Sequence, residues 1–422
     1  MTPAGKSLPS LSGADWLIRS ETQIVFAALA SAGIDARAVG GSVRNSLLGL
    51  PVKDIDIATP AEPAEVMAAA RAAGLKTFET GLKHGTITLV AGQVPFEVTT
   101  LRRDEDTDGR HARVVFTQDW AEDAKRRDFT INALYCDAQG QLYDPLGGYP
   151  DIVARRVRFI GSAHDRIRED YLRILRFFRF TSDYAEGEPD AAGLAACQDL
   201  KQGISTLSGE RLRSELLRIL VTPRAANIIA IMNTSGLLDH ITGVACHPSL
   251  LARMIACEDA ADFDPDPILR LGSLVLGRPG VSTAVRKHLR LSNPEYERLS
   301  RMAMHDRAFM PDATEHAAKA FIYRHGPEAF RDGVMLTWAK SGITDEPSAV
   351  GPWTSRLNLA QSWSAPELPV NGTDVMALGL ASGPGVGQVL SAFEDWWIAA
   401  DFPAEPAVLA AKLNEFVKVT KA

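Results

Sequence analysis

Gly40-Gly41-Ser42-Val43-Arg44-Asn45-Ser46-Leu47-Leu48-Gly49-Leu50-Pro51-Val52-Lys53-Asp54-Ile55-Asp56 is the stretch from which the rest of the chain can be read. A short apolar segment, 36–39, runs into the glycine pair, and 42–48 can start a helix directly after it: strand, glycine turn, helix. The next strand is expected to begin near Asp54, and period-two alternation then puts Asp54 and Asp56 on one side. Paired carboxylates are hard oxygen ligands for divalent cations. Such cations activate an attacking hydroxyl and stabilise charge on a transferred phosphoryl group. The glycine pair can bring backbone N–H groups close to phosphate oxygens, while Arg44 supplies a forked cation. Taken singly, each half has a plainer explanation, a tight strand-to-helix connection and two solvated turn aspartates. Their order along the chain favours the catalytic reading.

Working outward, 14–32 carries recurrent apolar positions (Trp16, Leu17, Ile24, Val25, Leu29), which predict an opening helix stopped by Gly33. Segments 87–90 and 94–99, separated by Ala91-Gly92-Gln93, read as a β-hairpin. Glu97 lies in its returning strand and can complete the acidic site. Short edge segments are expected at 114–116 and 134–136, closing an α+β domain near Gly148. Segment 151–161 reads as a connector or short hairpin. Beyond it the chain is mainly helical, with helices expected over 166–180, 208–220, 225–233, 268–277 and 388–400, and Pro223, Pro279 and Pro403 supplying interruptions. The expected organisation is a head over 1–150, a neck over 151–222, and a helical body and tail over 223–422.

The 422 residues exceed one ordinary core, and 46% hydrophobic with 23% charged residues is a globular composition. Four cysteines (Cys136, Cys197, Cys246, Cys257) have neither the density of a disulfide scaffold nor the paired spacing of a zinc site. With no signal-like or membrane-length apolar run, a cytoplasmic protein is expected. A net charge of -7 does not advertise RNA binding, yet eight arginines fall between Arg155 and Arg179 and predict a local basic face. His84, His111 and His164 lack metal-ligand spacing and read as packing or surface residues, and His305-Asp306 is too little for a phosphohydrolase site.

A second cluster, Arg126-Arg127-Asp128-Phe129-Thr130-Ile131-Asn132-Ala133, sets cationic donors beside a carboxylate, a hydroxyl and an amide, a set suited to phosphate or ribose. In this order the two motifs resemble the class II tRNA nucleotidyltransferase and bacterial poly(A) polymerase family. The resemblance spans roughly the first 220 residues. It continues through Asp144-Pro145-Leu146-Gly147-Gly148, Glu169-Asp170-Tyr171-Leu172-Arg173-Ile174-Leu175-Arg176, and Ser208-Gly209-Glu210-Arg211-Leu212-Arg213-Ser214-Glu215-Leu216. Lys83-His84-Gly85-Thr86 also matches the CCA-adding branch.

The resemblance implies an α+β nucleotidyltransferase head followed by a predominantly α-helical neck, body and tail. It implies Asp54 and Asp56 as metal ligands with Glu97 in support, Mg²⁺ in a two-metal mechanism, and CTP and ATP as substrates. For nucleotide binding it points to Gly40, Gly41, Arg44, Arg126, Arg127, Asp128, Asn132, Asp170, Arg173, Arg176 and Arg179. Asp170 and Arg173 would present hydrogen-bonding groups to the incoming base, and their i,i+3 spacing is expected to set them on one helical face. The segment 208–216 would support that helix. One departure stands out: the family commonly has Asp where this chain has Asn45, which can keep a polar contact but not a carboxylate's metal bond.

The implied reaction is attack by the tRNA 3′-hydroxyl on the nucleotide α-phosphate with release of pyrophosphate, adding or repairing the terminal CCA. The implied partner is the tRNA 3′ end and acceptor region, with no DNA or membrane partner expected. A poly(A) polymerase or a partial CC- or A-adding enzyme is the nearest alternative, and a noncatalytic RNA-binding or assembly protein the distant one. The residues do not specify oligomeric state.

Overall fold

The structure, a computed structural model, describes residues 8–105, 113–342 and 347–421. The chain divides into two compact units, Met1–Gly243 and Val244–Ala422. The division therefore falls some twenty residues beyond the boundary expected at 222. The first unit holds head and neck together with the helix Ala225–Thr234, which packs on the neck helices.

The expected opening helix is two, α1 (Asp15–Ile18) and α2 (Ser20–Ser31), broken where Arg19 turns extended at ψ 145. Side chains take over the carbonyls that a continuous helix would have used. Thr22 Oγ1 donates to the Trp16 carbonyl at 2.6 Å and Gln23 Nε2 to that of Leu17 at 2.8 Å. Next come β1 (Arg37–Val39), α3 (Gly41–Leu48), β2 (Asp56–Thr59), α4 (Pro63–Ala72) and β3 (Lys76–Gly81), then β4 (Thr86–Ala91) and β5 (Val94–Thr100). The hairpin of β4 and β5 is the expected one, turning on Gly92-Gln93. In β4, Ile87, Leu89 and Ala91 are buried at alternate positions, the signature of a strand with one face in the core.

β6 (Arg102–Glu105) and β7 (Arg113–Phe116) form a separate two-stranded sheet. After α5 (Trp120–Lys125), β8 (Tyr135–Cys136) and β9 (Leu142–Tyr143) complete the main sheet in the order β3-β4-β5-β2-β1-β8-β9. β8 is thus internal, paired on both sides, rather than an edge. Among the described residues only β2 and β5 run parallel. Buried Val25, Leu29, Ile57, Ile87 and Phe96 form core on the face that α2 and α4 cover.

Segment 151–161 is no hairpin. It begins inside a short helix, α6 (Tyr149–Val153), and returns along the arginine motif through a bridge between Phe129 and Phe159. The neck holds α7 (Ala163–Glu169), α8 (Leu172–Tyr184), α9 (Ala191–Asp199) and α10 (Gly209–Leu220). The helix expected over 166–180 is interrupted at Asp170, whose φ of -157 and ψ of 107 are extended. Its carboxylate accepts the Leu172 N–H at 3.1 Å and so starts α8 afresh.

The second unit is helical among its described residues. Its expected segments appear as Pro267–Val275, capped by Asp266, and Pro384–Ala399. A buried Glu258–Arg270 pair at 2.6 Å lies in its core. Near the C-terminal end, Val375, Phe393, Trp397, Leu409 and Leu413 make a separate small cluster. No helix among the described residues is long and apolar enough to cross a membrane.

Adjacent glycines at the head-to-neck junction serve different purposes. A Cβ on Gly148 would stand 2.3 Å from the Thr130 carbonyl oxygen, whereas Gly147, at φ +68, has open space around it. Gly148→Ala should therefore destabilise the unit by about 2–3 kcal/mol through backbone displacement, and Gly147→Ala by only about 1 kcal/mol through its dihedral. Denaturant unfolding of both variants checks this; equal losses would refute the close approach at Gly148.

Candidate active site

Gly40 sits at φ 71 and ψ -117, a region closed to residues with a Cβ, and this lets β1 turn straight into α3. The first N–H groups of α3, which have no carbonyl partner within the helix, lie at that turn. Across the sheet, the parallel register sets Asp56 directly opposite Glu97. Asp54 lies before the strand begins, yet the alternation holds: Ile55 is 3% exposed in the core, while Asp54 and Asp56 are both exposed. Loss of surrounding water, then Glu97 and Asp54, push the Asp56 carboxyl above the usual range, partly offset by Arg127. A cluster of like charges at the end of a polar cavity is what a bound cation would relieve. Among the described residues no three His, Cys, Asp or Glu side chains form a ready metal cage.

The cavity beside this end has a volume of about 430 Å³. Its lining contains Gly40, Gly41, Arg44, Asp56, Arg126, Arg127, Asp128, Asn132, Asp170, Arg173, Arg176 and Arg179. Every nucleotide-binding residue expected from the sequence is in that set. Asp54 and Glu97 stand outside it. Phe180 completes the lining and was not anticipated; its ring lies under Arg179 at 4.6 Å and Arg176 at 5.1 Å.

Buried carboxylates fix the arginines. Arg176 grips Asp128 through Nε and Nη2 at 2.9 and 2.6 Å, and Asp128 also accepts from Asn132 and the Phe129 N–H. Burial opposes ionisation of Asp128, but Arg176 and these donors outweigh it and hold its carboxyl below the usual range. Arg179 donates to Glu215 of α10 at 2.6 Å, and Arg211 of the same helix reaches Asp170 at 2.7 Å. The segment 208–216 thus does support the neck side of the cavity, through two ion pairs. Asp123 of α5, which no motif pointed to, carries both Arg126 and Arg127. Its only sequence signal is a position three and four residues before that arginine pair.

Three expectations change. Asp170 and Arg173 do not share a helical face, because Asp170 precedes α8 in extended backbone; nor is their chief partner each other. Arg173 donates to Glu169 at 2.5 Å and to the Arg126 carbonyl at 3.1 Å. Second, Arg44 is not an open fork. It donates to Asn45 through Nε and Nη2 (3.1 and 2.8 Å), to Asn132 (2.5 Å) and to the Tyr184 hydroxyl (2.8 Å). Four of its five N–H groups are engaged, which leaves one for a ligand. Asn45 accordingly keeps the polar contact expected of it.

Third, the eight arginines between Arg155 and Arg179 do not make a free basic face. All have carboxylate partners: Glu186 for Arg155, Asp151 for Arg156 and Arg158, Glu169 for Arg166 and Arg173, and Asp165 for Arg168, besides Asp128 and Glu215. His164 pairs with Asp199 at 3.0 Å, and His111 lies outside the described residues.

The chain matches the family model described as "Poly A polymerase head domain" over residues 36–158, and "Probable RNA and SrmB- binding site of polymerase A" over 189–245. It is 33% identical to the CCA tRNA nucleotidyltransferase 1, mitochondrial, of Mus musculus, covering 88% of this chain and 84% of that protein. It is 28% identical to a CCA-adding enzyme of Latilactobacillus sakei over 90% of this chain and 95% of the other. Among solved structures, the Bacillus stearothermophilus CCA-adding enzyme in complex with CTP superposes with a TM-score of 0.74 at 28% identity, covering 95% of this chain and 98% of that one. A Thermotoga maritima CCA-adding enzyme complexed with tRNA shares the fold, with a TM-score of 0.67 at 19% identity over 97% and 100% of the two chains. With its acidic strand, glycine turn and arginine-lined cavity in one unit, and likeness running nearly end to end, the chain belongs to the CCA-adding enzyme family of nucleotidyltransferases.

Proposed function

We propose that the protein adds or repairs the 3′-terminal CCA of tRNA, using CTP and ATP and releasing pyrophosphate. The observation that carries this reading is one cavity whose lining brings Gly40, Gly41 and Asp56 together with Asp170 and Arg173. A triphosphate suits the glycine turn and Asp56, and a base suits Asp170 and Arg173. Arg126, Arg127 and Arg176 line the same cavity as donors to phosphate oxygens.

Asp54 and Asp56, with Glu97 in support, are the residues that would hold Mg²⁺, which when bound supplies positive charge at the transferring phosphate. The chain's own groups do the rest. The glycine turn lets the backbone approach the triphosphate closely, and the arginines offset charge on the leaving pyrophosphate. Asp170 accepts from a base amino group and Arg173 donates to ring nitrogen or carbonyl acceptors, so base choice needs no nucleic-acid template. Arg44, held by the neutral groups of Asn45, Asn132 and Tyr184, keeps its positive charge at the cavity and has one N–H to spare for phosphate.

The experiment that tests the reading supplies Mg²⁺, CTP and ATP with tRNAs ending before CCA, after C and after CC, and sequences the products. Addition that stops at CCA is expected from all three. Long adenosine tails would transfer the assignment to poly(A) polymerase, and a stop after CC or a requirement for a CC end would make it a partial enzyme.

Replacing Asp54 or Asp56 with Ala should lower incorporation by on the order of 10³-fold in a protein whose circular dichroism is unchanged. Near-normal turnover over a Mg²⁺ titration would remove that residue from the acidic site. Asp170→Asn and Arg173→Lys should instead lower discrimination between CTP and ATP by about tenfold while transfer itself persists. Single-turnover incorporation of each nucleoside triphosphate onto tRNAs ending in C and in CC reads this, and identical preference in the folded variants would refute the base-selecting role.

A further inference from the structure

The phosphate side and the base side of the cavity share one anchor that does not itself line it. Asp123 is 1% exposed. Its Oδ1 accepts from Arg126 Nε at 2.8 Å, and its Oδ2 from Arg127 Nη2 and Nε at 3.0 and 3.3 Å and from the Tyr135 hydroxyl at 2.8 Å. The Arg102 N–H, where β6 begins, approaches Oδ1 at 3.4 Å. Burial by itself would raise this carboxyl, but Arg127, Arg126 and Tyr135 together bring it down to about 2. It is therefore ionised throughout the neutral range, and four groups converge on it.

What hangs from this carboxylate reaches both ends of the cavity. Arg127 Nη1 points toward the glycine turn, 3.7 Å from where a Cβ on Gly40 would stand. The Arg126 backbone carbonyl accepts from Arg173 Nη2 at 3.1 Å. The preceding carbonyl, of Lys125, accepts from Arg166 at 3.0 Å. The end of α5 is thus a row of acceptors on which the neck arginines rest, and Asp123 of the same helix is tied to Tyr135 and to the start of β6.

We propose that Asp123 is a positioning residue that sets nucleotide affinity and base choice together. It holds Arg126 and Arg127 toward the triphosphate and, through the Arg126 carbonyl, Arg173 toward the base. The inference rests on the nucleotidyl-transfer reading above. A carboxylate with a merely structural role would change stability and leave the folded protein's handling of nucleotide alone. A positioning residue changes that handling, because a guanidinium released from its anchor must be ordered anew each time a nucleotide binds.

The test uses the full-length protein and Asp123→Asn, which keeps the shape and removes the charge. CTP saturation is measured on tRNA ending in C and ATP saturation on tRNA ending in CC, together with the ratio of CTP to ATP incorporated on the latter. The expected result is a rise of about 10- to 100-fold in KM for both nucleotides, an unchanged KM for tRNA, and more CTP misincorporated at the last position. In an Arg126→Gln, Arg127→Gln background the same substitution should alter nucleotide KM by less than about twofold, since the anchor then has nothing to hold.

Unchanged nucleotide KM and base ratio in folded Asp123→Asn overturn the proposal. If that variant does not fold, Tyr135→Phe removes one donor without stranding a charge. A rise in nucleotide KM there supports the proposal, and wild-type values overturn it. Failure of the underlying reading looks different, because the unmutated protein would then add no nucleotide at all.

Discussion

Arg176 closing on Asp128 is the contact on which the cavity depends. The aspartate sits in the arginine motif of the head and the guanidinium on a neck helix, so one ion pair ties the two halves of the pocket. Asp128 is buried, where a lone charge is costly and a hydrogen-bonded pair is tolerable, while the side chain of Arg176 stays 31% exposed. Removing Arg176 would leave the buried Asp128 carboxylate without its charged partner, the costlier of the two losses. Asp123 with its arginines, Glu215 with Arg179 and Asp170 with Arg211 repeat the arrangement around the rim. The donors facing the ligand space are therefore ordered before any ligand arrives, which is how electrostatic stabilisation becomes large.

This also explains how a chain of net charge -7 can keep a strongly cationic cavity. Its neck arginines are matched by carboxylates on the protein side, and only the remaining N–H groups face the ligand space. The field is local and directional. Phe180 adds to it by occupying the apolar space beneath two guanidinium groups, so that they spread over a ring rather than into water.

Much of this was legible in the chain. The glycine turn, the hairpin and the acidic pair are local patterns, and strand, turn and alternation are properties of a few consecutive residues. The residues of the cavity were legible because they fall in ordered motifs. What could not be read were partners distant in sequence. Arg44 looked like an open fork because nothing in its neighbourhood announces Asn132 or Tyr184 as acceptors. Asp170 looked helical because periodicity runs straight through it, whereas its carboxylate caps the helix that follows. Arg19 broke the first helix for the same reason, side chains competing for backbone groups. The arginine-rich stretch looked like a basic face because composition counts charges and not their pairing. Asp123 has no pattern of its own beyond standing three and four residues before Arg126 and Arg127.

The parallel pairing of β2 with β5 has its own bearing on how such a chain can diverge. Asp56 meets Glu97 only because the two strands are aligned without a slip, and alternation means that moving one strand by a single residue would carry Val98 to that place and turn the carboxylate into the core. Sheet register thus acts as a ruler for the acidic site. Segments that lie off the sheet can lengthen or shorten with little consequence at the site, while a one-residue deletion within β5 would relocate a charged group without altering any residue of the cavity itself. On this geometry a change of length is tolerated in the loops of the head and not within β2 or β5.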